Sequence, residues 1–124
     1  MESVRVLIVD DEEELVSALT ERLELRGFVA GGATSGDAAL EALESGGWDV
    51  VLLDVRMPGI GGFDLTRRIR SEHPETAVVL LTGRTSADDE EESRAAGAFA
   101  YLIKPIPIER LEEALRTAAG RRES

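Results

Sequence analysis

The sequence contains no cysteine. This absence excludes a disulfide scaffold and a cysteine-based metal site, and it is typical of a reducing compartment. The sequence also lacks an apolar run long enough to span a membrane, and its first residues, Met1-Glu2-Ser3, do not begin a basic and apolar leader. We therefore expect a cytoplasmic protein without a membrane segment.

Positive charge is scarce as well, since 14 lysines and arginines stand against 25 aspartates and glutamates and give a formal net charge of -11. Nucleic acids and anionic membranes attract clusters of Lys and Arg. The charge therefore speaks against binding of nucleic acid or a membrane by this domain alone, and we expect proteins or cations as partners.

The chain has the size of one globular domain, with 124 residues of which 43% are hydrophobic. We assign residues 1–120 to this domain and residues 121–124 to a tail or to the start of a linker.

Apolar runs alternate five times with segments of helical period. The runs are rich in Val, Ile and Leu, which predicts strands buried on both faces of a parallel sheet. Ser35 and Ser86 are placed to cap helices, and Pro107 to open the last one. Five such units predict an α/β fold with helices on both faces of the sheet. The predicted strands are residues 4–9, 28–30, 50–54, 77–82 and 100–103.

Polar residues stand at the ends of four of these strands, namely Asp10-Asp11, Asp54, Thr82 and Lys104. Ligands of such folds bind at the carboxyl ends of the strands. Three clustered carboxylates repel one another and need a cation, and carboxylate oxygens without His or Cys suit magnesium. We therefore expect a site for Mg²⁺ at this edge of the sheet.

Each of these residues also has a simpler structural explanation. Asp10 or Asp11 alone could cap a helix, and Asp54 could prepare the turn at Met57-Pro58. Thr82 alone would be a strand terminus, and Lys104 a solvated surface amine. Only their combination at one edge favours a functional site.

The combination of Asp10-Asp11, Asp54 followed by Met57-Pro58, Thr82, and Lys104-Pro105 resembles the receiver domains of two-component response regulators. The resemblance extends over nearly the whole chain. It implies the doubly wound, flavodoxin-like (βα)5 fold with strand order 2-1-3-4-5. It also implies that Asp54 accepts a phosphoryl group from a sensor histidine kinase or a histidine phosphotransfer protein.

The same resemblance implies a role for each residue of the metal site. Asp11 and Asp54 would bind Mg²⁺ directly, together with the backbone carbonyl of Arg56, and Asp10 would act largely through water. The domain would be a phosphoacceptor with slow self-dephosphorylation rather than an enzyme.

Four further assignments follow from the resemblance. Lys104 would pair with the phosphoryl oxygens, and Thr82 would offer them a hydroxyl donor. Thr82 and Tyr101 would form the switch, in which the hydroxyl moves to the phosphoryl group and the ring turns inward. The Lys104–Pro105 peptide bond would be cis.

The implied output face comprises the fourth helix, the fifth strand and the fifth helix. The helix that follows Ser86 has mostly alanines as apolar anchors, so we expect it to be held weakly and to shift at small cost. An effector domain, a downstream protein or a second copy of the domain would bind this face.

Two alternatives stay open at this stage. A pseudo-receiver would bind partners without phosphate, although Asp10, Asp11, Asp54, Thr82 and Lys104 are all present. A magnesium phosphohydrolase of the haloacid dehalogenase type would need a second acid shortly after its nucleophile on the first strand. Here Asp54-Val55-Arg56 follows the third strand and lacks that acid.

Overall fold

The computed structural model describes residues 3–83 and 87–121. The strands are β1 (Arg5–Val9), β2 (Val29–Ala33), β3 (Val50–Asp54), β4 (Ala77–Thr82) and β5 (Ala100–Ile103). The helices are α1 (Glu13–Glu24), α2 (Gly36–Glu44), α3 (Gly62–Glu72), α4 (Ala87–Ala96) and α5 (Ile108–Arg121). Among the helices of these ranges, none combines the length and apolar character needed to cross a membrane.

All neighbouring strands pair in parallel, in the order β2-β1-β3-β4-β5. The doubly wound α/β fold and the strand order expected from the sequence are therefore confirmed. Because consecutive side chains of a strand point to opposite faces, each central strand supplies both layers of the core. Val50 and Leu52 pack on one side of β3, whereas Val51 and Leu53 pack on the other.

The two layers of the core contain different helices. One layer joins the sheet to α2 and α3 through Leu40, Leu43, Leu65 and Ile69. The other layer joins it to α1 and α5, and its helical members are Val16, Leu23, Leu111, Leu115 and Ala118. The apolar runs of β1, β3 and β4 are thus buried on both faces, as their composition predicted, whereas the edge strands β2 and β5 are more exposed.

Several local signals in the sequence are confirmed by the structure. The Ser35 hydroxyl accepts a hydrogen bond from the Ala38 N–H at 3.1 Å and caps α2. Gly27 follows α1 with φ of 95°, in the left-handed region that favours glycine. The Ser86 cap lies outside the described residues.

Three elements have bounds that differ from the prediction, and the first of them, β1, begins at Arg5 rather than at residue 4. β2 runs from Val29 to Ala33 rather than over residues 28–30, because its Gly-rich half pairs in register with β1 although glycine has low strand propensity. The last helix begins at Ile108. Pro107 precedes it, and the Pro107 carbonyl accepts the first hydrogen bonds of that helix.

The fourth helix packs against α3 and β5. Its buried residues are Ser93 and Ala96, both small. This agrees with the expectation that few apolar side chains anchor α4, and it contrasts with the leucines that anchor α5.

Candidate functional site

The strand register brings Asp10 and Asp54 together. Val9 on β1 pairs with Leu53 on β3, so the next residues, Asp10 and Asp54, leave the sheet side by side. On the other side of β3, Asp54 pairs with Leu81, which places Thr82 one residue further along β4. Parallel pairing of adjacent strands therefore gathers these side chains at one edge of the sheet.

Asp10 and Asp54 have matching hydrogen-bond arrangements. The Asp10 Oδ1 accepts a hydrogen bond from the Glu12 N–H at 2.9 Å, and the Asp54 Oδ1 accepts one from the Arg56 N–H at 3.0 Å. The second oxygen of each carboxylate lies 3.7 Å from the Lys104 Nζ. One ammonium group therefore neutralises part of the charge of two carboxylates.

Asp11 completes a group of three carboxylates. One ligand oxygen from each of Asp10, Asp11 and Asp54 lies within 4.8 Å of the others. Asp10 is buried, Asp54 is half-buried and Asp11 is exposed, so the group opens to solvent on the Asp11 side. An all-oxygen donor set that remains open to water fits Mg²⁺, which retains several water ligands in most protein sites.

The environment of Asp10 disfavours its charge. Burial raises the pKa of Asp10, and the Asp54 carboxylate acts in the same direction. The Glu12 N–H and the Lys104 ammonium lower the pKa without reversing the net effect. The carboxyl end of the sheet therefore holds negative charge that an incoming cation would stabilise.

Thr82 and Lys104 are linked through the backbone. The Lys104 N–H donates a hydrogen bond to the Thr82 carbonyl at 2.7 Å, and the Lys104–Pro105 peptide bond that follows is cis. Thr82 is buried at the end of β4. This pairing extends the contact between β4 and β5 by one residue, to the point where the lysine reaches the carboxylates.

A sequence model described as the response regulator receiver domain matches residues 6–116. The chain belongs to this family. Its membership confirms the resemblance found in the sequence and makes the chain a receiver domain of the two-component response regulators.

Relatives of known sequence and structure agree with this assignment. The receiver domain is 39% identical over 118 residues to the uncharacterized transcriptional regulatory protein YkoG of Bacillus subtilis, of which the match covers 95% of this chain and 52% of that protein. The chain thus spans about half the length of this curated relative.

Two solved structures have the same fold as this receiver domain. A response regulator receiver domain protein from Clostridium thermocellum is 31% identical, with a TM-score of 0.90 and coverage of 97% of both chains. The response regulator TrrA from Thermotoga maritima, in complex with Mg²⁺ and BeF, is 32% identical, with a TM-score of 0.83 and coverage of 93% of this chain and 98% of that chain.

Tyr101 lies apart from the carboxylates, within β5. It pairs with Leu80 of β4 and is half-buried against the layer of the core that contains α2 and α3. Burial raises the pKa of Tyr101, and the nearby Asp89 carboxylate contributes in the same direction. Tyr101 thus lies between a buried layer and the acidic start of α4, and its part in a switch stays a prediction.

The loop between β3 and α3 contributes to the site in a way that the sequence pattern did not indicate. Arg56 is exposed, whereas Met57 is buried in the core. Gly62, the first residue of α3, donates a backbone hydrogen bond to the Val55 carbonyl at 3.2 Å. The only signal for this contact in the sequence is Gly62, the first residue of the helix, where alanine would have the higher helix propensity.

Proposed function

We propose that Asp54 is the phosphoacceptor of this receiver domain. The observation that supports this assignment best is the Lys104 Nζ, 3.7 Å from a carboxylate oxygen of Asp54 at the carboxyl end of β3. An aspartate in this position can attack phosphorus, and the lysine next to it can pair with the oxygens of the transferred group.

The proposed reaction transfers a phosphoryl group from a phosphohistidine to Asp54. A carboxylate oxygen of Asp54 forms a bond to phosphorus while the phosphorus–nitrogen bond of the donor breaks, which leaves an acyl phosphate and a free imidazole. Phosphoryl transfer depends mainly on alignment and on stabilisation of the equatorial oxygens. The Arg56 N–H holds one oxygen of Asp54 by its hydrogen bond and thereby orients the carboxylate.

We infer that Mg²⁺ is the cofactor. Asp11 and Asp54 would hold the ion together with the Arg56 carbonyl, and Asp10 would contribute through water. When bound, the ion would supply positive charge for the carboxylates and the phosphoryl oxygens. The close approach of the three carboxylates supports this inference, as does the TrrA structure with Mg²⁺ and BeF.

The remaining features of the proposal concern the signal. The donor is a sensor histidine kinase or a histidine phosphotransfer protein in the cytoplasm, and slow self-dephosphorylation ends the signal. Thr82 and Tyr101 transmit phosphorylation to the face formed by α4, β5 and α5. The small buried side chains of α4 support this proposal because they permit a shift at little cost.

The output face would bind an effector domain, a downstream protein or a second copy of the receiver. The receiver unit would end near residue 120, at the end of α5, and the residues that follow the helix would be a tail or the start of a linker.

Labelling with acetyl phosphate tests the phosphoacceptor directly. We expect intact-mass spectrometry to show one phosphoryl adduct on the wild type in the presence of Mg²⁺ and none after Asp54→Asn. Asp64→Asn is the matched control, because Asp64 is an exposed aspartate on the neighbouring helix and should leave labelling unchanged. An adduct that persists in Asp54→Asn would show that another residue is the nucleophile, and a wild type that is never labelled would refute the proposed function.

A further inference from the structure

The loop of residues 55–61 connects Asp54 to α3, and two of its contacts with the rest of the domain are made at glycines. Gly62 is the buried first residue of α3 and lies against the Val55 backbone. Gly36 is the buried first residue of α2 and lies against the Ile60 side chain. Both contacts depend on the absence of a side chain, because each occupies the space that a Cβ atom would fill.

The contact at Gly62 is between two backbones. A Cβ atom added to Gly62 would lie 2.6 Å from the Val55 Cα and 2.8 Å from the Val55 carbonyl oxygen. Real Cβ atoms essentially never show separations under 3.0 Å, and a backbone cannot rotate out of the way as a side chain does. An alanine at this position would therefore displace either the Val55 peptide or the start of α3.

Three hydrogen bonds hold the same region in place. The Gly62 N–H donates to the Val55 carbonyl at 3.2 Å, and the buried Thr66 hydroxyl donates to the Gly62 carbonyl at 2.7 Å. On the other side of Val55, the Arg56 N–H donates to the Asp54 carboxylate at 3.0 Å. Val55 thus lies between the acceptor carboxylate and the Arg56 peptide, so a shift of Val55 would move both.

The contact at Gly36 acts on the other end of the loop. A Cβ atom at Gly36 would overlap the Cγ2 of Ile60 and would also approach the Leu65 Cδ2 at 3.6 Å. Ile60 is half-buried, so its side chain can yield more easily than a backbone. An alanine at Gly36 should consequently shift the loop less than an alanine at Gly62.

We propose that Gly62 and Gly36 are positioning residues of the Asp54 site, which fix the loop so that the Asp54 carboxylate and the Arg56 carbonyl are correctly placed for Mg²⁺ and for phosphoryl transfer. This inference rests on the proposed function. It assigns to α2, an element that contributes no ligand, an influence on metal affinity and on the labelling rate.

The experiment compares Gly62→Ala with Gly61→Ala. Gly61 is the adjacent residue, its φ of -69° is accessible to alanine, and an added Cβ would meet nothing within 4 Å. We expect Gly61→Ala to retain the wild-type Mg²⁺ dissociation constant and labelling rate within about twofold. A misplacement of about 1 Å can cost around two orders of magnitude in rate, so we expect Gly62→Ala to lose roughly tenfold or more in both quantities. Gly36→Ala should lose less, roughly threefold.

Isothermal titration with Mg²⁺ alone and acetyl phosphate labelling would be measured below the onset of thermal unfolding of each variant. A purely structural role would lower the melting temperature and leave the Mg²⁺ affinity of the folded protein unchanged, which would overturn the proposal. If Gly62→Ala does not fold, Gly36→Ala decides: weaker Mg²⁺ binding supports the proposal, and wild-type binding overturns it. Failure of the proposed function differs from both results, because the wild type and Gly61→Ala would then remain unlabelled.

Discussion

Acidic side chains occur in two opposite electrostatic settings in this receiver domain. At the carboxyl end of the sheet, Asp10 and Asp54 share the single ammonium of Lys104. On the side where α1 and α5 pack, Glu112 accepts hydrogen bonds from Arg26 at 2.7 Å and from Arg116 at 3.0 Å. Burial raises the pKa of Asp10, whereas the hydrogen bonds from the two guanidinium groups lower the pKa of Glu112.

The difference separates a region suited to ligand binding from a region that holds the fold together. The carboxylates at the sheet edge cost stability until a cation joins them. Around Glu112, by contrast, the Arg116 guanidinium lies 4.3 Å from the centre of the Phe28 ring and also donates a hydrogen bond to the Arg26 carbonyl at 2.8 Å. Polar groups in this second region therefore stabilise the packing of α5 against the loop after α1.

Among the changes that test this comparison, Phe28→Ala should have the largest effect on the free energy of unfolding. Phe28 is 4% exposed in the core layer of α1 and α5 and lies beneath Arg116. Removal of a buried aromatic ring costs about 3–5 kcal/mol, and we expect a loss of unfolding free energy of this size in urea titrations. Leu25→Ala is the matched control, because Leu25 lies three residues earlier and is 83% exposed, so its loss should be near neutral. A comparable loss in both variants would contradict the assignment of Phe28 to the core.

Addition of Mg²⁺ should have the next largest effect on stability, and it acts on the carboxylates at the sheet edge. A ligand that binds only the folded state stabilises it by about 2.7 kcal/mol at one hundred times its Kd. We therefore expect thermal unfolding to shift upward with Mg²⁺ in the wild type and in Asp64→Asn, and much less in Asp11→Asn, whose carboxylate belongs to the group of three. Equal shifts in all three proteins would place the ion elsewhere.

Asp10→Asn should stabilise the metal-free domain at neutral pH by on the order of 1 kcal/mol, the scale of one like-charge contact near water. Because the pKa of Asp10 is raised in the folded domain, protonation of this carboxyl stabilises the fold. This contribution is fully present below the ordinary pKa of 3.8 and is lost as the pH rises through the folded-state pKa. The advantage of the variant should therefore shrink as the pH falls from 8 to 4. Urea unfolding of both proteins across this range, without metal, measures the difference. An advantage that grows on acidification would show that the environment stabilises the charge.

Glu112→Gln should have the smallest effect, with the opposite dependence on pH. Because the pKa of Glu112 is lowered in the folded domain, its ionised carboxylate stabilises the fold. This contribution is present above the ordinary pKa of 4.5 and is lost as the pH falls through the folded-state pKa. The variant should thus be less stable than the wild type at pH 7, and the gap should close in acid. Glu113→Gln serves as the control on the same helix, because Glu113 is exposed. If both variants lose the same stability at pH 7, the guanidinium pairs contribute nothing specific.

The sequence predicted the architecture well because the strands of this fold have a strong local signature. Runs such as residues 50–53 are apolar at every position, and this pattern favours a strand that is covered on both faces. The predicted β2 is shorter than the observed strand because Gly31 and Gly32 have low strand propensity. Their strand conformation comes from pairing with β1 and from the close packing of Trp48 and Val16 in the space that side chains would occupy.

The candidate site could be predicted to the extent that its residues terminate strands. Asp10, Asp11, Asp54 and Lys104 each follow an apolar run, and the structure brings them together. Their roles in phosphoryl transfer stay predictions, and so do the roles of Arg56, Thr82 and Tyr101 in metal binding and switching. The contacts of Gly62 and Gly36 could not be predicted, since a glycine shows nothing about which atom occupies the space beside it.

The sequence by itself determined which residues are buried on each face of the sheet and which polar groups stand at the strand ends. Successive side chains of a strand alternate between its two faces, and the polar group at a strand end marks where the apolar run stops, so a single strand expresses both properties without its neighbours. Only the tertiary structure decided that Asp10 lies beside Asp54 and that Arg26 meets Glu112, 86 residues further along the chain. These contacts depend on strand register and on the packing of helices across the sheet, so they arise from the closure of the whole domain and not from any one segment.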